Sequence, residues 1–327
     1  MKPLDKIVLT KNKAITTMNN YGSQKIPFFF IVDFEMENTF VLSCDELKEY
    51  GIKYSIGSNE SCVSSKEIEF QIEPIDFKQY SAAFDFVVKQ ISLGNSYLTN
   101  LTFPTKIQTN LTLEDIFSLS NTKYKLLFQN KFVVFSPECF VRIEEGAISS
   151  YPMKGTIDAA IPNAEEIILS DEKEMAEHIT IVDLIRNDLS IAAKNVRVEK
   201  FRYIDRIETN NKSLLQVSSK IAGELQDDYN EKLGGIIFSM LPAGSISGAP
   251  KKKTIEIIQH AEKIKRGFYT GVFGYYDGKN LDSAVMIRFI EQTPDGLFYR
   301  SGGGITFMSD VESEYQELID KVYVPFT

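Results

Sequence analysis

The sequence is poor in the residues that build metal clusters and disulfide frameworks. It contains only 2 histidines and 3 cysteines among 327 residues. The histidines, His178 and His260, are too few for a histidine-rich metal site, so any bound metal would have to depend on carboxylates. The cysteines, Cys44, Cys62 and Cys139, are odd in number and far apart. They indicate reduced thiols in a cytosol rather than disulfides or a zinc site.

Long apolar runs and basic runs are also missing. The longest apolar run near the start, residues 26–32, is far too short to cross a bilayer. The first twenty residues are mixed and polar, without the apolar core of a secretory signal. The formal net charge is −9, which is typical of proteins that do not bind nucleic acid. We therefore expect a cytoplasmic protein with no membrane and no nucleic-acid partner.

Helix and strand patterns are mixed along a chain of ordinary globular composition. Hydrophobic residues make up 43% and charged residues 25%, enough for a large core in one or two domains. Alternating or apolar runs predict strands over residues 28–34, 97–103, 131–135, 196–203, 214–221, 269–276, 284–291 and 297–301, and a hairpin around residues 145–146. Helical spacing predicts helices over residues 43–50, 76–93, 112–119, 164–193, 230–240 and 250–264, and a last helix from a capping box at Ser309. These patterns indicate only a mixed α and β protein.

A carboxylate set near the C-terminus is the best metal signal that spacing provides. Glu314, Glu317 and Lys321 are three and four residues apart, so they share one helix face. On spacing alone, a solvated face with a Glu–Lys pair is the commoner explanation. Glu177, on the predicted long helix, is equally ordinary when taken by itself.

Two glycine-rich segments allow more than one interpretation. Gly302, Gly303 and Gly304 form either a flexible bend between strand and helix or a close backbone approach with N–H groups aimed at an anion. Arg288, at the end of a predicted strand, could bind a carboxylate through two hydrogen bonds, although such arginines are usually solvated. The segment PAGSISGAPK at residues 242–251 lacks the Gly-Lys-Ser/Thr ending of a phosphate-binding loop, so nucleotide binding is not expected.

The segment YPMKGT at residues 151–156 contains a lysine, Lys154, whose side chain is positioned by the local backbone and not by a periodic helix or strand face. Pro152 biases the preceding residue toward an extended conformation, and Gly155 gives the chain freedom directly after Lys154. A lone lysine in such a place is usually solvated. Glu138 lies upstream in the segment SPE, so a carboxylate is available if the fold brings the two side chains together.

Seven short motifs occur in a fixed order along the chain. Such an ordered series indicates a protein family far more specifically than any one motif does. Along the chain these are SPE at 136–138, YPMKGT at 151–156, DLIRND at 183–188, PAGSISGAPK at 242–251, MIR at 286–288, GGG at 302–304 and EYQE at 314–317. This series resembles the chorismate-utilising enzymes and, among them, component I of the aminodeoxychorismate synthases. The resemblance implies an α+β fold of two orthogonally packed, largely antiparallel β-sheets flanked by helices. It also implies a short N-terminal portion, residues 1–75, packed on a catalytic domain at residues 76–327.

The resemblance also implies a reaction and its residues. Lys154 would attack ring carbon 2 of chorismate as a neutral amine, and Glu138 would donate and accept protons. A Mg²⁺ cofactor would be held by Glu177 and Glu317, with Glu314 close by, in an open carboxylate site. The substrate would be bound by Gly155, Thr156, Tyr269, Arg288, Gly302, Gly303, Gly304 and Lys321. The product would be 4-amino-4-deoxychorismate, for 4-aminobenzoate and folate synthesis, with ammonia supplied by a glutamine amidotransferase partner.

Two positions separate this expectation from related activities. Anthranilate synthases carry Ala where Lys154 stands, and isochorismate and salicylate synthases carry a water-activating Lys where Leu98 stands. The family often has Gln at the Leu98 position and His where Gln216 is aligned, which leaves Glu138 as the expected proton carrier. Anthranilate synthase, isochorismate synthase and an inactive chorismate-binding protein remain the alternatives. Four separated functional groups argue against the inactive protein.

Overall fold

The computed structural model describes residues 7–57, 67–208 and 213–325. The helices in these ranges are α1 (Lys11–Ser23), α2 (Cys44–Glu49), α3 (Phe77–Ser92), α4 (Leu113–Leu119), α5 (Ala164–Ser170), α6 (Glu172–Ala192), α7 (Leu233–Ser239), α8 (Lys251–Glu262) and α9 (Val311–Asp320). The strands are β1 (Phe28–Val32), β2 (Thr39–Leu42), β3 (Ile52–Ile56), β4 (Phe70–Glu73), β5 (Leu98–Thr109), β6 (Tyr124–Phe128), β7 (Phe132–Ser136), β8 (Cys139–Glu144), β9 (Ala147–Ser150), β10 (Met153–Asp158), β11 (Lys194–Glu208), β12 (Ser213–Glu224), β13 (Gly248–Ala249), β14 (Val272–Tyr276), β15 (Leu281–Val285), β16 (Phe289–Thr293) and β17 (Gly296–Ile305).

The strands form two sheets. In the described residues the first sheet has the order β10-β12-β9-β8-β15-β14-β1-β2, with β11 against β12. The second sheet has the order β13-β5-β17-β16-β7-β6-β3, with β4 against β5. The strand pairs are antiparallel in both sheets. This confirms the expected α+β class with two antiparallel sheets and flanking helices.

The N-terminal residues complete both sheets. β1, whose five residues are all buried, pairs with β14 in the first sheet. β3 pairs with β6, and β4 pairs with β5, in the second sheet. Burial of β1 removes its apolar side chains from water, and the backbone pairing of β3 and β4 adds to it, so the N-terminal portion is tied to the core. The division of the chain at residues 75 and 76 stays a prediction.

Several local predictions are confirmed at the residues that carry the signal. α2 begins after Ser43, which forms a capping box with Glu46. α3 begins after Asp76, whose carboxylate accepts hydrogen bonds from the backbone N–H groups of Lys78 and Gln79. The predicted hairpin is formed by β8 and β9. At both helix starts a polar side chain accepts hydrogen bonds from nearby backbone N–H groups, so these patterns are readable without the rest of the fold.

Three predicted elements differ from the structure. The helix predicted over residues 164–193 is two helices, because Asp171 is extended (ψ 111°) and its side chain accepts a hydrogen bond from Glu174 N as the N-cap of α6. The strand predicted over residues 284–291 is divided between β15 in the first sheet and β16 in the second, with Arg288 in a left-handed conformation (φ 53°) at the crossing. The last helix is capped by Asp310, not by Ser309.

None of the helices in the described part of the chain is long and apolar enough to cross a membrane.

Candidate active site

One cleft collects most of the residues that the motifs singled out. Its walls include Glu138, Lys154, Glu177, Tyr269, Arg288, Gly302, Gly303, Gly304 and Lys321. These residues come from β10, α6, β17, the segments that join β7 to β8, α8 to β14 and β15 to β16, and the chain just after α9. Both sheets therefore contribute to the cleft, as the resemblance implies.

Lys154 reaches the cleft through an irregularity in β10. β10 pairs with β12, and its register shifts between Met153 and Thr156. Gly155 adopts φ 78°, a conformation that side chains rarely allow. A bulge of this kind redirects a side chain at the edge of a sheet. The Lys154 Nζ atom lies 2.5 Å from Glu177 Oε2, and its side chain is 20% exposed.

The surroundings of Lys154 do not lower its pKa. Burial opposes the charged form, but the carboxylates of Glu177 and Glu174 outweigh burial, so the pKa of Lys154 is raised. A neutral nucleophile requires the opposite direction. In the arrangement described, Glu177, Glu174 and Glu317 together hold Lys154 as a cation.

The carboxylates of α6 and α9 approach one another across β17. A Cβ atom built on Gly303 would lie 3.1 Å from Glu314 Oε2 and 3.7 Å from Glu317 Oε1. A Cβ atom on Gly304 would lie 4.0 Å from Glu177 Oε2. Gly303 thus leaves room beside Glu314 and Glu317, and Gly304 leaves room beside Glu177, and side chains at these positions would fill that room.

This donor set fits a hard divalent cation in its chemistry. Glu177 and Glu314 are buried, and carboxylate oxygens are the ligands that Mg²⁺ prefers. Glu174, one helical turn before Glu177, has an Oε2 atom that is buried without a hydrogen-bond partner among the described residues, and burial raises its pKa. As they stand, the described side chains contain no group of three or more His, Cys, Asp or Glu arranged as a metal site. Glu177 is instead paired with Lys154, and Glu317 with Lys321.

The triple glycine is part of a strand and not a bend. Gly302, Gly303 and Gly304 pair with Thr102, Leu101 and Asn100 of β5. A Cβ atom on Gly302 would lie 2.3 Å from the carbonyl oxygen of Leu101, which no side chain tolerates. The flexible bend is therefore excluded. The close approach is to the backbone of β5, and binding of an anion by these N–H groups stays a prediction.

Two cations lie beside this carboxylate set. Lys321 Nζ lies 2.6 Å from Glu317 Oε1 and donates a hydrogen bond to the carbonyl oxygen of Gly302 at 2.8 Å. Burial lowers the pKa of Lys321, against the attraction of Glu317. Arg288 donates to the carbonyl oxygen of Lys321 at 2.7 Å and stacks on Tyr323. Two neighbouring cationic side chains suit a substrate that carries carboxylates.

Glu138 is held by a serine that the motif analysis did not single out. Ser245 Oγ donates a hydrogen bond to Glu138 Oε1 at 2.5 Å. Burial raises the pKa of Glu138, while the bond from Ser245 and the charge of Lys154 lower it. A carboxyl group balanced between these influences is suited to both donating and accepting a proton.

Some predicted residues lie outside the cleft. Gly155 faces Glu174 and α5. Thr156 is exposed and accepts a long hydrogen bond from Gln216 at 3.5 Å. Neither residue lines the cleft, whereas Leu98 does. The role of Gln216 is thus confined to the neighbourhood of Thr156.

The structure adds cleft residues that sequence patterns missed. These are Asn100, Ser245, Ile246, Thr270, Arg300 and Ser301. Ser245 lies in the glycine-rich segment at residues 242–251, and its place in that motif was the only sequence signal that could have identified it.

The segment DLIRND at residues 183–188 has a structural role near the site. Lys251 donates hydrogen bonds to Asp188 Oδ1 at 2.6 Å and to the carbonyl oxygen of Met240.

Comparison with known proteins places this arrangement in a family. Residues 12–326 match the family described as chorismate binding enzyme. An "Uncharacterized PabA-like protein" of Haemophilus influenzae is 50% identical over 319 residues, covering 97% of each chain. Anthranilate synthase component 1 of Aquifex aeolicus is 38% identical over 59% of this chain and 40% of its own length. Aminodeoxychorismate synthase component 1 of Bacillus subtilis is 32% identical over 75% of this chain and 52% of its own length.

A solved structure has the same fold. It is MenF, described as the menaquinone-specific isochorismate synthase from Escherichia coli, with a TM-score of 0.71. It is 17% identical in sequence, over 96% of this chain and 82% of its own. The chain therefore belongs to the chorismate-binding enzymes, and the cleft described above is its candidate active site.

Proposed function

We propose that this enzyme is component I of an aminodeoxychorismate synthase, which converts chorismate and ammonia to 4-amino-4-deoxychorismate for 4-aminobenzoate and folate synthesis. The observation that carries the proposal is the joint placement of Lys154 and Glu138 in one cleft. Anthranilate synthases have no amine at the position of Lys154. The Leu98 side chain in the same cleft cannot activate water as the lysine of isochorismate synthases would. Both differences favour substitution at ring carbon 4.

The proposed chemistry has two displacement steps. Lys154 Nζ forms a bond to ring carbon 2, the ring double bonds shift, and the bond between carbon 4 and its hydroxyl breaks. Glu138 donates the proton with which that hydroxyl leaves as water. Ammonia then forms a bond to carbon 4, the double bonds shift back, and Lys154 leaves carbon 2. Lys154 and Glu138 return to their starting states once the surplus protons have been exchanged.

The remaining cleft residues orient the substrate. Arg288, Lys321 and the backbone of β17 would bind its carboxylates, since cations and N–H groups are concentrated there. Glu177 and Glu317 would hold Mg²⁺, with Glu314 beside them. The ion would supply positive charge for the ring carboxylate and for the carboxylates that now keep Lys154 protonated. Tyr269 is buried beside the Arg300 guanidinium, 5.5 Å from its ring.

Product analysis tests the proposal directly. The purified chain is incubated with chorismate, Mg²⁺ and ammonium, and the products are identified by mass spectrometry, with pyruvate measured in parallel. We expect an amino product that retains the enolpyruvyl group and releases pyruvate only after an aminodeoxychorismate lyase is added. Anthranilate with immediate release of pyruvate would contradict the proposal, as would isochorismate or unchanged chorismate.

A separate amidotransferase is proposed as the source of ammonia. His178 bonds to Ser219, and His260 packs on Phe86, whereas the described thiols lie in β8 and at the start of α2. The described residues thus show no cysteine–histidine pair of the kind that glutamine hydrolysis uses. We expect turnover with ammonium alone and none with glutamine until such a subunit is added. Glutamine-dependent synthesis by the isolated chain would refute this partner. Reduced thiols are consistent with a cytoplasmic location.

A further inference from the structure

A buried arginine behind the cleft uses all of its hydrogen-bond donors. Arg266 Nε donates to Glu262 Oε2 at 3.0 Å, and Nη2 donates to Glu262 Oε1 at 2.6 Å and to the carbonyl oxygen of Asn100 at 2.7 Å. Nη1 donates to the carbonyl oxygen of Ile246 at 2.9 Å and to Thr270 Oγ1 at 3.4 Å. A guanidinium has five N–H donors, and each of the five has a partner here.

The carboxylate partner is fixed as firmly as the arginine. The side chains of Arg266 and Glu262 are each only 1% exposed. Glu262 Oε1 also accepts hydrogen bonds from Thr102 N and Thr102 Oγ1, both at 2.9 Å, on β5. The backbone N–H groups of Arg266 and Gly267 donate to the carboxylate of Glu35. The pair therefore joins the end of α8 to the second sheet without access to water.

A buried ion pair of this kind contributes little net stability, because desolvation of the charges offsets their attraction. What the pair does provide is geometry. The segments that it joins contain Asn100, Ile246 and Thr270, and all three residues line the cleft. Ile246 directly follows Ser245, whose hydroxyl donates to Glu138. A single guanidinium thus ties the segment carrying Ser245 to β5 at Asn100 and to the segment before β14 at Thr270.

We propose that Arg266, fixed by Glu262, is a positioning residue that holds Ser245 against Glu138 for proton transfer. The proposal rests on the role of Glu138 as proton carrier in the proposed function, and it holds for any chorismate reaction that uses this carboxyl group. Arg266 does not line the cleft, so it acts on turnover through the residues that it binds, and among these Ile246 is the one that adjoins Ser245.

Replacement by lysine separates the geometry from the charge. An Arg266→Lys variant keeps the ion pair with Glu262, but its ammonium has three donors at one point and cannot span the five partners. We expect kcat for chorismate consumption to fall about 10-fold, as for the loss of one hydrogen bond to a charged group, and by no more than it falls in Ser245→Ala. KM for chorismate should change much less, because the hydrogen bonds of Arg288, Lys321 and β17 in the described structure do not involve Arg266.

A double-mutant cycle with Ser245→Ala tests the route of the effect. If Arg266 acts through Ser245, Arg266→Lys should lower kcat far less in the Ser245→Ala background than in the wild type. Equal losses in the two backgrounds would overturn the proposal, and so would an unchanged kcat in Arg266→Lys alone. The assay follows loss of chorismate, so its result is independent of product identity, which tests the proposed function separately.

Folding controls keep the test decisive if Arg266→Lys is unstable. Thr102→Val removes only one hydrogen bond to Glu262, and we expect a smaller loss of kcat that is again suppressed by Ser245→Ala. Arg142→Lys alters an arginine–carboxylate pair outside the cleft, in which Arg142 Nη2 lies 2.9 Å from Asp282 Oδ2. It should leave kcat at the wild-type value, even where its thermal unfolding midpoint falls as much as that of the test variants. A kcat that follows thermal stability across these variants would overturn the proposal.

Discussion

Two lysines share the cleft, and their surroundings change their pKa values in opposite directions. Lys154 lies beside Glu177 and Glu174, and although burial opposes its charge, the two carboxylates raise its pKa. Lys321 is paired with Glu317, and there burial prevails and lowers the pKa. The two side chains are similarly exposed, at 20% and 33%. The opposite directions follow from the neighbouring charges: three carboxylates raise the pKa of Lys154, whereas the positive charges of Lys154 and Arg288 add to burial in lowering the pKa of Lys321.

This difference bears on how the proposed nucleophile is activated. Lys154 is the lysine that the motifs assign to covalent chemistry, yet it is the one held more firmly as a cation. Its activation therefore requires that another positive charge compensates the carboxylates of Glu177 and Glu174. Only then does burial favour the neutral amine of Lys154. Lys321 is suited to binding a substrate carboxylate in its charged form. The following substitutions test this division of roles.

Lys154→Ala is expected to have the largest effect. Without ammonia, the wild-type enzyme with chorismate and Mg²⁺ should accumulate a covalent adduct, seen by intact-protein mass spectrometry and mapped to the peptide that contains Lys154. The variant should lose the adduct, and synthesis at carbon 4 should fall at least about a thousandfold, because a nucleophile cannot be replaced by binding alone. The residual substitution should shift toward carbon 2, where the amine is missing. Lys252→Ala, an exposed lysine of α8, is the matched control. Full synthesis by Lys154→Ala would make this lysine a binding cation only.

Glu177→Gln and Glu317→Gln should each reduce Mg²⁺-dependent turnover at least about a hundredfold, because each removes an anionic ligand from a site with few of them. The loss should be partly restored at high Mg²⁺ concentration, and the fold should remain intact by circular dichroism. Glu172→Gln, an exposed carboxylate on the same helix as Glu177, should behave like the wild type. Wild-type activity of either test variant at ordinary Mg²⁺ would remove that residue from the metal site.

Lys321→Ala should act on substrate binding rather than on the covalent step. Loss of a hydrogen bond to a charged group costs about 1.5–3 kcal/mol, so KM for chorismate should rise between about 10-fold and 150-fold. At saturating chorismate the adduct on Lys154 should still form, which distinguishes the two lysines in one assay. If the adduct disappears from Lys321→Ala while Lys154 is intact, the assigned roles are wrong.

Ser245→Ala should give the smallest and most specific change, in the pH dependence of kcat/KM. The serine hydroxyl stabilises the charged form of Glu138 and lowers its pKa, so its removal raises that pKa. The limb of the profile that reports Glu138 should therefore move to higher pH, whether the carboxyl group must be protonated or ionised in the free enzyme. Ser239→Ala, on the exposed face of α7, should leave the profile unchanged. A shift to lower pH would contradict the assignment.

Local signals predicted much of the architecture. The caps at Ser43 and Asp76 and the apolar run of β1 depend on neighbours in sequence, so they are correct at the residues that carry them. The order of the motifs was specific enough to indicate the family. It also indicated Lys154 and Glu138 before any geometry was available.

Other features depend on partners that are distant in sequence. Whether residues 284–291 form one strand or two is decided by which sheet each half pairs with. Whether the triple glycine bends or pairs is decided by its register with β5. No pattern within either segment contains that information, because hydrogen-bond register is a property of two strands.

The sequence alone determined which chemical groups are available, the order in which they occur, and the local helices and strands that carry them. Tertiary structure alone decided that Glu177 on α6 and Glu317 on α9 both lie close enough to Lys154 to act on its charge. It also decided that Glu174 joins Glu177 beside Lys154, which reverses the pKa shift expected from burial. The physical reason is that a charge responds to whatever lies within a few ångströms of it, and folding determines those neighbours.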